Sequence, residues 1–137
     1  VPDFYNAKIK GKPTTELICD IQWLENDFIK AVQQRGAEVI KIRGKSSAGS
    51  AASSAIDAMR SLVTETPQDD WFSAAVYTKN NPYGIDQDLV FSFPCASGGN
   101  FDFSIVADVP WNSFLEEKIR LSEKELKEER DQIKHLL

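Results

Sequence analysis

Few residues in this 137-residue chain are of types that do chemistry near neutral pH. A single histidine, His135, stands close to the C-terminus with neither an orienting carboxylate nor a nucleophile beside it. It reads as a surface residue rather than a general acid or base. Cys19 and Cys95 lie far apart in apolar sequence. A disulfide between them is possible in principle, but two buried free thiols are favoured. Neither belongs to a CxxC or neighbours a histidine, so no metal site or activated thiol follows. Gly44-Lys45-Ser46 looks like the end of a phosphate-binding loop, yet it lacks the preceding strand and the earlier glycine. What remains is Arg35-Gly36, Arg43 and the serine-rich stretch from Ser46. These residues are either ordinary helix packing with exposed basic side chains, or a wall for an anionic ligand built of hydroxyls, free N–H groups and a close-approach glycine. Spacing alone leaves both open.

The elements that position these residues are legible in outline. Residues 1 to 19 read as extended, with a hairpin about Lys10-Gly11 and no helix before about Thr14, because Pro13 precedes it. From Asp20, a plausible N-cap, Ile21, Leu24, Phe28, Ile29 and Val32 recur at helical spacing, and the pattern resumes with Val39, Ile40 and Ile42. One long helix is predicted, weak at Gly36, where glycine costs about 1 kcal/mol against alanine. Either the helix kinks there, or a ligand or neighbouring backbone comes close. The small-residue run Ser46 to Ala55 would suit a linker by composition, but Ile56, Met59, Leu62 and Val63 continue a helical period. A second helix with a small-faced start is favoured, its free N–H groups suited to an anion.

Three strands follow, Trp71 to Thr78, Leu89 to Pro94 and Phe101 to Ala107, the last two joined through Ser97-Gly98-Gly99-Asn100. Asn80-Asn81-Pro82-Tyr83-Gly84 forms a rigid loop between the first two. A final helix opens with a capping box of Ser113 and Glu116. It carries a seam of Leu115, Ile119, Leu126, Ile133 and Leu137, interrupted by Ser122 and Glu129. It is expected to lie across the domain surface rather than to form a coiled coil, with its charged run as a solvated flank. The fold class expected is α+β, a small antiparallel sheet with segregated long helices.

Composition sets the outer limits. With 42% hydrophobic and 10% aromatic residues, the chain suits one compact domain rather than a disordered segment. A net charge of -5, from 21 acidic and 16 basic residues, gives no footprint for nucleic acid. No apolar run reaches the roughly 20 residues of a membrane span, and no signal-peptide pattern opens the chain, so a soluble protein without membrane partners is expected. The start at Val1-Pro2, without methionine, is taken as processed or truncated.

Several stretches, in order and at matching spacing, carry a resemblance along the whole chain. They are Val1-Pro2-Asp3, Trp23-Leu24 through Val32-Gln33-Gln34-Arg35-Gly36-Ala37 and Arg43 through Ala48, then Asn81-Pro82-Tyr83-Gly84-Ile85 and Phe91-Ser92-Phe93-Pro94. Together they resemble the C-terminal, substrate-side domain of malate dehydrogenases in the lactate/malate dehydrogenase family, closest to the cytosolic type. That resemblance implies an α+β domain, a small antiparallel sheet packed by long helices, from an enzyme interconverting malate and oxaloacetate, a step of the tricarboxylic acid cycle. It further implies NAD bound mainly by an N-terminal dinucleotide-binding domain absent from this chain, a homodimer, and a cytoplasmic setting. The family's catalytic histidine, its aspartate and the carboxylate-clamping arginines all precede a segment like Val1-Pro2-Asp3, so no catalytic, cofactor-binding or metal residue is assigned here. Gly36 and Ser47, with Ser46 adjacent, are the positions implied to line the substrate pocket. The chain ends at Leu136-Leu137 without the cysteine-bearing extension of NADP-linked relatives, which favours NAD. Gly49 departs from the family's pattern.

The chain alone is therefore expected to be inactive, since hydride transfer needs cofactor and substrate fixed together. The alternative is a non-catalytic interaction or dimerisation module built on the same domain.

Overall fold

The computed structural model describes residues 2–136; Val1 and the seam residue Leu137 lie outside them. The chain gathers into two compact units, Val1–Ser54 and Ala55–Leu137. Both units together give the expected α+β class.

In the first unit a short antiparallel pair, β1 (Lys8–Ile9) and β2 (Lys12–Pro13), closes on Lys10 and Gly11. Both turn residues have positive φ, 52° and 79°, the mirror-image turn whose twist matches its strands. A single helical turn, α1 (Thr14–Leu17), follows Pro13. Thr14 is pinned to the preceding segment, its N–H and its hydroxyl each donating to the Ala7 carbonyl at 3.0 Å.

The long helix begins where expected. Asp20 caps α2 (Ile21–Trp23), its carboxylate accepting from the Trp23 N–H at 2.9 Å. The helix passes through a π turn, Leu24–Phe28, into α3 (Ile29–Arg43). Gly36 lies inside regular α-helix, so the expected weak point is not a kink; the irregular turn sits upstream, at Leu24–Phe28. Leu24 and Phe4 are buried at 1% and 3% exposure, and they anchor this end of the helix. Gly44 ends α3 in the left-handed conformation (φ 68°), its N–H donating to the Ile40 carbonyl at 2.8 Å. The small-residue run is helix rather than linker: α4 spans Ala48–Val63, and the boundary between the two units falls within it.

In the second unit β3 (Phe72–Tyr77), β4 (Val90–Ser97) and β5 (Phe103–Ile105) form an antiparallel sheet in that order. Register puts Phe72 opposite Cys95, Ala74 opposite Phe93 and Val76 opposite Phe91. One sheet face therefore carries the apolar residues, in the period-2 pattern the sequence shows. Against Phe93, Cys95, Ile85 and Leu89 pack Ile119 and Leu126 from α5 (Ser113–Ile133). β4 runs on past Pro94, the strand end expected, to Ser97; proline lacks a donor, but the Pro94 carbonyl still accepts from the Val106 N–H at 2.8 Å. β5 is shorter than expected, since Phe101 sits at φ 64° in the turn. That turn also finishes α4. The Asn100 and Phe101 N–H groups donate to the Val63 and Leu62 carbonyls, and the Ser97 hydroxyl adds a bond to Leu62.

Three further expectations are corrected. The cap of α5 is Asn112, one residue before Ser113, its side-chain oxygen accepting from the Leu115 N–H at 2.8 Å. Asparagine competes as well as serine for that role, so sequence did not separate them. Only Cys95 is buried, and burial pushes its thiol up; Cys19 is exposed. Finally, the charged run of α5 is more than a solvated flank. Lys127 and Arg130 reach Asp86 at 2.7 and 3.2 Å, while Glu123 accepts the Asp86 N–H.

These contacts hold the loop between β3 and β4 against α5 from outside. From inside, Asn81 bonds Thr78, Tyr83 and Ile85, and the Tyr83 ring stacks on Trp111 at 5.1 Å. Lys127 and then Arg130 hold the Asp86 carboxyl below its ordinary value. A depressed carboxylate stabilises the fold above its unfolded pKa and loses that contribution as pH falls through the folded one. Asp86→Asn is therefore expected to lower the melting temperature at pH 7, the gap to wild type closing in acid below the ordinary aspartate range. Thermal melts at both pH values check it. Added salt should narrow the gap at pH 7, because the pair is part-exposed.

Candidate functional site

Of the residues singled out by sequence, Arg43, Ser46 and Ser47 lie at one corner of the first unit. Where α3 ends, Gly44 reverses the chain, and Lys45, Ser46 and Ser47 lead into α4. The Arg43 guanidinium lies over this corner, its Nη1 donating to the Ser46 carbonyl at 3.5 Å. Ser47 immediately precedes α4 and is half-buried; its hydroxyl is hydrogen-bonded to that of Ser50. Ser50 was missed by sequence reasoning, although its spacing from Ser47 matches the two ends of a capping box.

Chemically, the corner presents hydroxyls, the open N–H groups of the first α4 turn and the cations of Arg43 and Lys45. No acidic residue lies in that first turn. Such a surface attracts carboxylates and orients them, but it carries no group to move a proton.

Gly36 stands apart on α3, exposed, and a Cβ built there meets nothing within 4 Å. Neither a kink nor a close neighbour within the chain accounts for a glycine at this position. Ser46 is likewise exposed. The site is thus an open wall, not a closed pocket. Two clefts among the described residues lie elsewhere: one of about 280 Å³ between Phe4, Ile9, Ile18 and Trp23, another of about 250 Å³ about Arg60, Thr66 and Trp71. His135 is exposed in the closing 3-10 turn, Lys134–Leu136. Among the described residues no group of three His, Cys, Asp or Glu is placed to hold a metal ion. No helix among them is long and apolar enough to cross a membrane.

The family model for the lactate/malate dehydrogenase alpha/beta C-terminal domain matches residues 1–137. A malate dehydrogenase of Protochlamydia amoebophila is 56% identical over 100% of this chain and 42% of its own length. The chloroplastic NADP malate dehydrogenase of Flaveria bidentis is 54% identical over 99% of the chain and 30% of its own. Among solved structures, a malate dehydrogenase from Naegleria fowleri superposes with a TM-score of 0.86 at 40% identity, covering 100% of this chain and 42% of that one. A lactate dehydrogenase of Trichomonas vaginalis in complex with NADH and oxamate gives 0.85 at 28% identity, covering 99% of this chain and 43% of that one. The chain thus spans less than half the length of these relatives. With every residue covered by the domain model, the chain belongs to the lactate/malate dehydrogenase family, as the alpha/beta C-terminal domain.

Proposed function

We propose that this chain is the substrate-side half of an NAD-dependent malate dehydrogenase of the cytosolic type, working in the cytoplasm as a homodimer and inactive by itself. The observation that carries the proposal is 56% identity over the full chain to a malate dehydrogenase. Gly36 and Ser47, with Ser46, line the oxaloacetate or malate site from this side. The glycine leaves room for the substrate, while the serine hydroxyl and the α4 N–H groups receive its polar atoms. The chain's own residues do not fit a dinucleotide, because no GxGxxG opens a helix. The cofactor therefore belongs to a dinucleotide-binding domain, and this chain's share is to orient substrate and exclude water. NADH in the Trichomonas neighbour supports NAD; the chloroplastic relatives named for NADP support the other choice.

The test is NADH oxidation by oxaloacetate, with this chain alone and with this chain mixed with the dinucleotide-binding half. Activity only in the mixture is expected. Turnover by the pure chain would overturn the inactive-fragment reading, and faster oxidation of NADPH than NADH would overturn the cofactor choice.

A specific observation favours a second reading, a non-catalytic interaction or dimerisation module. Val32, Ile40 and Ile42 on α3, and Ile56, Met59 and Val63 on α4, are exposed apolar residues of the kind that mark protein contacts. A silent mixture, with both halves folded, would favour it.

A further inference from the structure

The helix from Ile21 to Arg43 has one irregular turn, Leu24–Phe28, and it coincides with the helix's one anchored point. Leu24 is buried there, whereas α3 has no buried residue. The Phe28 ring meets Phe4 edge-on at 6.2 Å, and the Tyr5 hydroxyl donates to the Glu25 carboxylate at 2.6 Å. A π turn is unfavourable by itself and persists where surrounding contacts over-determine it. Its hydrogen bonds span one residue more than those of an α turn, and each residue rotates an α-helix by about 100°. Wound as α throughout, the same sequence would present everything beyond Phe28 about 100° away from its present face.

We infer that the π turn at Leu24–Phe28 is the register device of this helix: it absorbs one residue at the anchored point and so sets the face on which Gly36 is presented. Tyr5 and Glu25 are its positioning residues. The inference rests on the reading of Gly36 as a substrate-lining residue and adds to it the element that aims it.

Four changes in the completed enzyme test it. Deleting Asn26, an exposed residue of the π turn, removes the surplus and leaves both flanks in phase, so oxaloacetate kinetics should stay near wild type. Inserting an alanine after Lys30 turns Gly36 by about 100° from the anchor. It should raise the KM for oxaloacetate at least about tenfold, with kcat falling less. Glu25→Gln keeps an acceptor for Tyr5 and should resemble wild type, while Glu25→Leu should shift KM toward the insertion variant. Equal damage from deletion and insertion, or a harmless insertion, would overturn the register role. If the wild-type mixture is itself silent, the reading of Gly36 fails, and amide exchange in the 137-residue chain judges the turn alone. There, deletion of Asn26 should slow exchange across Leu24–Phe28 to the rate of α3, and unchanged exchange would sink the device.

Discussion

Gly36→Leu is expected to lower kcat/KM for oxaloacetate about 100-fold in the completed enzyme, the scale of loss when reacting groups are displaced by about an ångström. The same position should behave in the opposite way in the chain alone. Gly36 lies in regular helix with no neighbour within 4 Å of a built Cβ, so a methyl group there removes backbone freedom from the unfolded chain without a clash. Gly36→Ala is thus expected to raise the stability of the isolated chain by about 0.5–1 kcal/mol. A glycine that costs the fold stability, yet is required for turnover, is a residue placed for its ligand. Steady-state NADH kinetics with the mixture and thermal melts of the chain provide the two readouts. Wild-type kinetics in Gly36→Leu would remove Gly36 from the substrate wall, whatever its effect on stability.

Phe93→Ala is expected to cost the chain about 3–5 kcal/mol, the range for truncating a buried aromatic. Phe93 is 2% exposed at the centre of the sheet's apolar face, with its ring 6.0 Å from Tyr83 and 5.7 Å from Phe91. Removing it leaves a cavity bounded by a sheet and a helix, neither of which can collapse without breaking register with its neighbours. Domain stabilities are typically about 5–15 kcal/mol, so this one change consumes a large share of the total. Val90→Ala, on the same strand but on the exposed face, should cost well under about 1 kcal/mol. Urea unfolding followed by tryptophan fluorescence separates the two. Similar midpoints would show that the sheet's burial is not what holds it.

The sequence announced those elements whose signals are local. Asp20 before an apolar helical period and Lys10-Gly11 between short strands each act over a few residues and stand where expected, while the hairpin signalled by Ser97-Gly98-Gly99-Asn100 forms with its turn shifted toward Phe101. Features set by distant contacts were not legible. The π turn depends on Phe4 and Tyr5 meeting a helix far along the chain, and no periodicity encodes it. Pro94 argued locally for a strand end, but a neighbouring strand on each side carries β4 onward. The acidic and basic residues of α5 looked solvated because Asp86, their partner, lies on a separate loop. At the candidate wall, residue type pointed to hydroxyls and a glycine, yet a reason for that glycine came only through family resemblance. Within the chain itself Gly36 has no partner to explain it.

The turn between β4 and β5 has a bearing on how the chain is made. The last carbonyls of α4 are answered by N–H groups of Asn100 and Phe101, which a ribosome delivers only after β3 and β4 have emerged. Until then the end of α4 must fray or borrow water. During synthesis, then, the second unit should gain its final helical turn late and in one step with hairpin closure, so that helix and sheet mature together.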